Sequence, residues 1–587
     1  MKKHNSFYFQ QIVKMKGCKF LMKKYNLRYY LNKNKITLIL IIIFSITSSI
    51  MTILAPIYIG NIIDNAIPLI KNKMFNEILK LIIIYVALFV SNIILNNRLV
   101  LLATNISKNL RFDLFEKINN LPLKYLDKTR YGDIINRFTV DIENISNGLI
   151  QAISKITMGV VTVIVSIIIM IRLNITITVI LICIAPIMYF ISKFIGTNTK
   201  SLFENKANTI SDINGYTEEI LSGIKTVKNF SYEEIANKKF KEKNEKLKKV
   251  GIKSQFYSSL TNPATRFVSN LSYIIVAITG IILIKIEKGL TIGNLTTFLV
   301  YTNVFTRPFN EITSIISEIQ AAIASAKRAF KFLNENEENI EVSNSKMKSI
   351  EGKIEFKNVY FSYNKDKKFI ENLNLAVKPK EKIAIVGKTG AGKTTIVNLI
   401  MRFYEIDKGE FLIDGVNIKE IPIDKLRKNI GIVLQDTKLF AGTIKENISY
   451  GKPDATDEEI RNAAKMAYAN EFIERLPQGY DTVIQNQNML SEGEVQLINI
   501  ARIMLLKPPI LILDEATSNI DVVTENKIGL AFTKLMENST SFIIAHRLST
   551  IKNADRIIYI ENGNIIEEGT HQDLINKKGK YFELYNV

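Results

Sequence analysis

Residues Lys382–Thr395 read KIAIVGKTGAGKTT. The stretch opens on the apolar residues Ile383–Val386, passes through Gly387-x4-Gly392-Lys393-Thr394, and runs on into TIVNLIMRF, which reads as a helix. A strand, a glycine loop and a helix in that order form a phosphate cradle. Glycines let successive backbone N–H groups turn toward a phosphate chain, the lysine reaches its terminal phosphates, and the following hydroxyl reaches Mg²⁺. Here those roles fall to the loop Gly387, Lys388, Thr389, Gly390, Ala391 and Gly392, to Lys393, and to Thr394 with Thr395 beside it.

A second acidic element belongs with this loop. In ILILDEATSNID, Ile510–Leu513 form a buried strand, and Asp514 at its end can hold Mg²⁺ through water. Glu515 follows and can polarise an attacking water as a general base. Short apolar segments alternate with helical ones around both elements: KIEFKNVYF, GEFLIDG, GIVLQ, SFIIA and RIIYIENGNIIEEG. That alternation predicts an α/β domain over 351–587.

Ahead of it lies the polar, acidic NENEENIEVSNSK from Asn334, which reads as a linker over 334–350. Before the linker the chain changes character. Apolar runs occupy Ile36–Ile63, Leu81–Arg98 (uncharged to Leu95), Ile156–Ile171, Leu173–Ser192, Phe267–Ile284 and Leu290–Thr306. A helix crossing a bilayer needs about 20 residues. The shorter runs reach that length with flanking Lys or Arg side chains that snorkel. Six such runs predict a six-helix transmembrane domain over 36–333.

Residues 1–35 hold ten Lys or Arg and no Asp or Glu, which places this basic N-terminal segment in the cytoplasm. The connections near Asp64–Lys80, Arg172 and Lys285–Gly289 then lie outside. The long, charged stretches of roughly Asn96–Lys155 and Lys193–Arg266 lie inside. Their helical periodicity, as in LRFDLFEKINNL, continues the transmembrane helices into the cytoplasm, where 25 residues project about 37 Å. Turn signals in LPLKYLDKTRYGD and INGYTEEILSGIKTVKNF mark the hairpin tips, taken as Pro122–Thr129 and Thr217–Gly223.

The chain has 587 residues, 47% of them hydrophobic, with a net charge of +21. Such a balance raises a nucleic-acid partner. The cations are mostly Lys amid abundant Ile and Asn, a compositional bias, and six spans argue against a soluble nucleic-acid-associated ATPase. Cys18 and Cys183, one in the basic segment and one in an apolar run, give no disulfide framework.

With these motifs in this order, the chain resembles the ATP-binding cassette (ABC) transporters of exporter type, in half-transporter form, and is similar to one subunit of bacterial heterodimeric multidrug exporters. The resemblance covers nearly the whole chain. It implies a polytopic α-helical membrane domain of six helices with long cytoplasmic extensions, followed by an α/β P-loop ATPase domain, with ATP and Mg²⁺ as cofactors. It also implies that Tyr363 in FSYN stacks on adenine. Gln435 in GIVLQD touches Mg²⁺ and the transmembrane half, and His546 in IIAHRLS contacts the γ-phosphate. Asp521 stands at the D-loop position, although SNID departs from the usual SALD.

In this family two ATPase domains meet head to tail, and each ATP also meets the other domain's signature, usually L-S-G-G-Q at a helix N-terminus. Here that signature reads Leu490-Ser491-Glu492-Gly493-Glu494. Ser491 and Gly493 are kept, whereas Glu492 and Glu494 bring two carboxylates. Two unit charges 4 Å apart interact by about 4 kcal/mol at an effective dielectric of 20. Ser491-x-x-Glu494 also fits a capping box. The preceding TVIQNQNM lacks the family's usual Gly-Glu pair.

Residues acting on this chain's own ATP are thus intact, and those lent to a partner's ATP are altered. A heterodimer with a second half-transporter explains this better than a homodimer. With no charged residue near the middle of a span, the expected cargo is amphipathic or hydrophobic, drug- or lipid-like, exported across the plasma membrane. The alternatives are a homodimeric exporter of lipid or peptide, and a membrane-anchored regulatory ATPase without transport.

Overall fold

The computed structural model describes residues 25–66, 71–286, 290–338, 349–363, 368–434, 438–485, 489–514, 520–544 and 551–585. The chain divides into two compact units, Met1–Asn119 with Arg130–Asn336, and Asn120–Thr129 with Glu337–Val587.

The first unit is helical. Among the described residues its arms are Lys35–Ala66, Lys71–Asn120, Tyr131–Leu173, Ile175–Ser222, Glu233–Ser259 continued by Thr261–Ile286, and Ile292–Leu333. The second and fourth arms have 50 and 48 residues, about 75 Å of helix each, far more than a bilayer needs. Spans and cytoplasmic extensions therefore form continuous helices. The turn between the third and fourth arms is a single residue, Asn174, whose side chain accepts the Ile177 N–H at 3.2 Å.

Four arms carry a window apolar enough to cross a membrane: Lys35–Ala66, Asn72–Asn120, Tyr131–Leu173 and Pro263–Ile286. The fourth expected span begins with the shorter apolar helix Ile175–Ile184, and the sixth, Leu290–Thr306, carries no such window among the described residues. The reason is packing. The Ile292–Leu333 helix lies against the first, third and fifth arms, so its buried hydroxyls, at Thr297, Tyr301, Thr302 and Thr306, meet protein rather than lipid. Thr297 donates to Pro56 O (3.1 Å), Tyr301 donates to Ile53 O (2.6 Å), and the Thr306 and Ser269 hydroxyls pair at 2.9 Å. Hydroxyls satisfied in this way hold membrane helices together without needing an apolar surface.

The first and last arms meet backbone to backbone near their outer ends. A Cβ at Gly293 would collide with Gly60 O and with the Asp64 carboxylate. Asp64 accepts from the Thr291 hydroxyl (2.6 Å) and the Gly293 N–H (2.8 Å), which caps the last arm from a neighbouring helix.

The basic N-terminal segment is helical over Leu27–Lys33. Tyr30 is fully buried there, donates to Asp113 at 2.5 Å and stacks on Phe330. Residues 1–24 lie outside the described residues. The second hairpin reverses later than its turn signal suggested. Thr217–Ser222 still belong to the long helix, Gly223 caps it, and a short helix Ile224–Asn229 follows. Within that helix the Thr217 hydroxyl bonds back to Ile213 O (2.8 Å), and the helix ends at Gly223 because glycine is a common helix stop.

In the second unit, β1 (Ile354–Phe361), β2 (Ile370–Val377), β4 (Lys408–Ile413) and β5 (Val416–Asn417) form an antiparallel sheet in the order β2-β1-β4-β5. β7 (Gly442–Thr443) and β8 (Val483–Ile484) make a two-stranded pair. The main sheet joins β3 (Lys382–Val386), β6 (Ile430–Val433), β9 (Ile510–Asp514), β10 (Thr540–Ile544), β11 (Arg556–Glu561) and β12 (Asn564–Gly569), in the order β12-β11-β3-β10-β9-β6. Its inner pairings are parallel and β12 is an antiparallel edge. The inner strands are apolar on both faces. Ile383, Ile385, Ile510, Ile512 and Phe542 pack toward the antiparallel sheet, while Ala384, Val386, Leu511, Leu513 and Ile543 pack toward the helices. β2 was missed in the sequence because its alternation of Asn and Glu with apolar residues makes no apolar run.

Replacing Gly293 with alanine forces the two arms apart, and overpacking of this kind costs about 1–3 kcal/mol. The variant should melt at a lower temperature than the parent when extracted in detergent. Asp64→Ala, which removes the cap alone, should show a smaller loss in the same thermal scan.

Candidate nucleotide site

Parallel sheets place binding loops beyond the carboxyl ends of their strands. Val386 ends β3 and Asp514 ends β9, with β10 between them, where Ile544 pairs with both Ile385 and Asp514. Val433 ends β6 beside Leu513. The loop at Gly387, the acidic end of β9, and the chain after Ile544 and Val433 therefore emerge along one edge. Gln435, Glu515 and His546 follow these strand ends in sequence but lie outside the described residues, as does Ser518.

Gly387, Gly390 and Gly392 take φ of 153°, 82° and 115°, conformations that L side chains rarely adopt. A Cβ at Gly387 would also collide with the Ile560 carbonyl. Lys388, Thr389 and Gly390 are exposed, whereas Ala391, Gly392, Lys393 and Thr395 are buried and Thr394 is exposed at the start of the Lys393–Ile400 helix. Lys393 Nζ donates to Gly387 O (2.7 Å) and Lys388 O (3.3 Å), so its charge lies inside the loop. Burial lowers its pKa, and the Asp514 carboxylate opposes that shift. The loop is braced by the β11–β12 turn, where Gly563 N–H donates to Ala391 O (2.8 Å). In sequence, RIIYIENGNIIEEG runs on as one segment. Its Asn562-Gly563 pair, with φ of 49° and 79°, is the turn signal that separates the strands.

Tyr363 is joined to the loop helix. Its hydroxyl pairs with Thr395 Oγ1 at 3.0 Å and accepts from Asn398 at 3.4 Å. Its ring lies edge-on to Phe361, Phe369 and Tyr404. Tyr404, which no sequence motif marks, reaches further. Its hydroxyl donates to Asp127 at 2.6 Å, in the short helix Leu123–Lys128. That helix lies within the expected tip of the first hairpin, and residues Asn120–Thr129 cluster with the second unit. Burial, then the bond to Asp127, raises the Tyr404 pKa.

At the other stretch, Ser491 is the N-cap of the Glu492–Leu506 helix, and the capping box is formed. The Glu494 carboxylate accepts from Ser491 N (2.8 Å) and from the Ser491 hydroxyl (2.9 Å), while Ser491 Oγ accepts from Glu494 N (3.3 Å). Glu492 is exposed and Gly493 is buried. A Cβ on Gly493 would stand 2.5 Å from the Thr524 methyl and 3.1 Å from Ile520, so glycine here also lets two helices approach. Asp521 caps the second of them, Val522–Met536, accepting from Val523 N and Thr524 N. These hydrogen bonds, Thr524 first, hold its carboxyl below the usual range.

Lys393→Ala removes the one buried cation of the described loop, and nucleotide binding should weaken at least tenfold in a fluorescent-ATP titration. Gly387→Ala should do the same through the backbone, with about 1–3 kcal/mol of added strain; unchanged affinity in both variants would reject the cradle assignment.

The family description "ABC transporter transmembrane region" matches residues 38–309, and "ABC transporter" matches residues 370–518. The chain is 41% identical to the uncharacterized ABC transporter ATP-binding protein YfiC of Bacillus subtilis, over 95% of this chain and 92% of that one. It is 39% identical to a protein of Mycobacterium bovis named as a fatty acid ABC transporter ATP-binding/permease protein, over 81% of this chain and 75% of that one. The solved structure of a bacterial Atm1-family ABC exporter with ATP bound matches with a TM-score of 0.80 at 27% identity, covering 95% of this chain and 98% of that one. The chain belongs to the ABC transporter family: it joins a helical transmembrane domain to an ABC ATPase domain that couples ATP hydrolysis to transport.

Proposed function

We propose that this chain is one half of a heterodimeric exporter in the plasma membrane that moves amphipathic or hydrophobic, drug- or lipid-like compounds outward. The observation that carries the asymmetry is the contrast within one chain between a phosphate cradle with every expected residue and a signature helix whose N-terminus already holds a carboxylate. The fatty-acid name of the Mycobacterium bovis relative agrees with amphipathic cargo.

In this reading Lys393 and the loop backbone bind the phosphates, and Tyr363 receives the adenine ring. Glu515 takes the proton of the attacking water, and His546 contacts the γ-phosphate. Thr394, with its exposed hydroxyl, and Asp514 at the strand end offer the few oxygen donors that Mg²⁺ takes beside water and phosphate, and Gln435 completes them. Mg²⁺ held there supplies positive charge against the β- and γ-phosphates. Closure of two ATPase domains then passes to the membrane arms through the hairpin tips. The first tip bonds to Tyr404. The second, with Leu221 and Phe230 exposed, suits an apolar notch on the partner chain.

Across the dimer, Ser491 and Glu494 face the partner's ATP. A carboxylate on the helix N-terminus neutralises the partial positive charge that would otherwise meet a phosphate. The site built with this signature is therefore the weaker of the two. The site built on Glu515, facing a normal partner signature, is the one that turns over.

Glu515→Gln keeps hydrogen-bonding shape but not basicity, so the purified pair should retain ATP binding and lose nearly all turnover. Near-parental ATPase would reject Glu515 as the base. Glu492→Gly with Glu494→Gln should change the ATPase of the pair less than twofold. A chain purified alone that hydrolyses ATP appreciably, and several-fold faster after this double restoration, would show a homodimer instead. Vesicles loaded with the purified pair that hydrolyse ATP but move no amphiphile would favour the regulatory ATPase.

A further inference from the structure

The helix that begins in the phosphate loop has a far end. Lys393–Ile400 is eight residues, about 12 Å, and closes at Met401 and Arg402, where Arg402 takes a φ of 50°. Carbonyls at a helix C-terminus carry partial negative charge and need donors. Arg427, from the helix Ile423–Lys428, supplies them. Its Nε donates to Met401 O (3.4 Å) and its Nη2 to Arg402 O (3.2 Å). The guanidinium lies over the Phe403 ring, 5.0 Å from its centre. The same fork grips Glu338, with Nη1 to Oε2 and Nη2 to Oε1 both at 2.8 Å. The Glu338 side chain is 16% exposed and that of Arg427 28%, so solvent screens this pair little.

Glu338 stands shortly after Leu333, where the last arm ends. The residues between are pinned. Asn334 exchanges two hydrogen bonds with Tyr25 (2.9 and 3.4 Å), and Lys117 donates to Glu335 O. The Glu338 N–H donates to Asn120 O at 2.9 Å. So short a step, held at Asn334, Glu335 and Glu338, has little slack in which a displacement is lost. A phosphate arriving at the N-terminus of the Lys393–Ile400 helix shifts a two-turn rod, and the Met401 and Arg402 carbonyls hand that shift to the fork. A bidentate guanidinium–carboxylate pair fixes direction as well as distance, which suits it to pass the shift on.

We infer that Glu338 is a positioning residue for coupling: through Arg427 it fastens the exit of the last arm to the carboxyl end of the helix that carries Lys393 and Thr394. This route is separate from the hairpin tips, and it works alike in a homodimer and a heterodimer. Neither Glu338 nor Arg427 belongs to the phosphate cradle. Nucleotide binding therefore survives the loss of the pair, and transmission suffers.

The test uses the purified transporter, with whatever second half-transporter accompanies it, in lipid nanodiscs. Hydrogen exchange is followed at the outer arm ends, residues 58–66 and 291–297, with the protein free and then trapped with ADP and vanadate. Trapping should change exchange there in the parent. In Glu338→Ala that change should shrink at least about threefold, while the half-saturating concentration of a fluorescent ATP stays within about twofold. Arg427→Ala should lose the same share of the exchange response, and adding Glu338→Ala to it should remove nothing further. Glu338→Cys with Arg427→Cys, in a chain carrying Cys18→Ser and Cys183→Ser, should respond weakly. Bridging the two thiols with a short bis-methanethiosulfonate should restore the response, because a neutral tether then replaces the ion pair. A parental response in Glu338→Ala, a bridged pair that stays weak, or a response lost only along with an about tenfold weaker nucleotide affinity overturns the inference. Should Glu338→Ala assemble poorly, Glu338→Gln, which leaves the fork one acceptor, decides: a reduced response supports the tie and a parental one counts against it.

Discussion

A hydrocarbon interior offers no hydrogen-bond partner to a backbone N–H or C=O, so a chain that enters it must satisfy its backbone within each segment. The first unit follows from that constraint. Its arms are helices of up to 50 residues rather than spans joined by loops at the membrane surface. The same condition governs side chains. The last arm carries Thr297, Tyr301 and Thr306 because neighbouring arms supply partners. It can approach the first arm at Gly60 and Gly293 because neither residue has a side chain to separate the backbones. Within the second unit, water is available and the rule relaxes. Strands end, and the irregular loops at their ends are where chemistry is placed.

Much of this was legible in the sequence, for reasons that are local. Gly387, Gly392 and Lys393 announce the cradle because each has a conformational or electrostatic duty that few residue types can meet. The inner strands announce themselves because both faces are buried and their central runs, such as Ile383–Val386, Ile510–Leu513 and Phe542–Ile544, are apolar. What escaped depends on pairing, packing and helix ends rather than on a local apolar run. β2 is stabilised by pairing with β1 rather than by its own pattern. The last arm is less apolar than a lone span in part because neighbouring arms cover its hydroxyl-bearing face. The end of the second hairpin slipped because the helix persists until Gly223 rather than stopping at the polar residues before it.

The signature stretch shows how one substitution can serve two masters. Glu494 makes a good capping residue, and the helix it caps is well formed with ten buried residues, from Gly493 to Leu505. Stability of the isolated domain therefore exerts no pressure against it. Any cost falls only when a second domain brings a phosphate to the same N–H groups. A residue can in this way be favourable to its own fold and unfavourable to the assembly.

Tyr404 occupies a junction with a mechanical meaning. It is nearly buried, its ring leans edge-on against Tyr363, and its hydroxyl holds Asp127. Tyr363 in turn holds Thr395 on the loop helix. A shift at either end of this relay must be taken up by two phenol rings in mutual contact, each fixed by a hydrogen bond, with little slack for either to rotate alone. Such a joint behaves as a short stiff linkage, and its transmission is set by the tolerance of ring packing rather than by the length of the helices it serves.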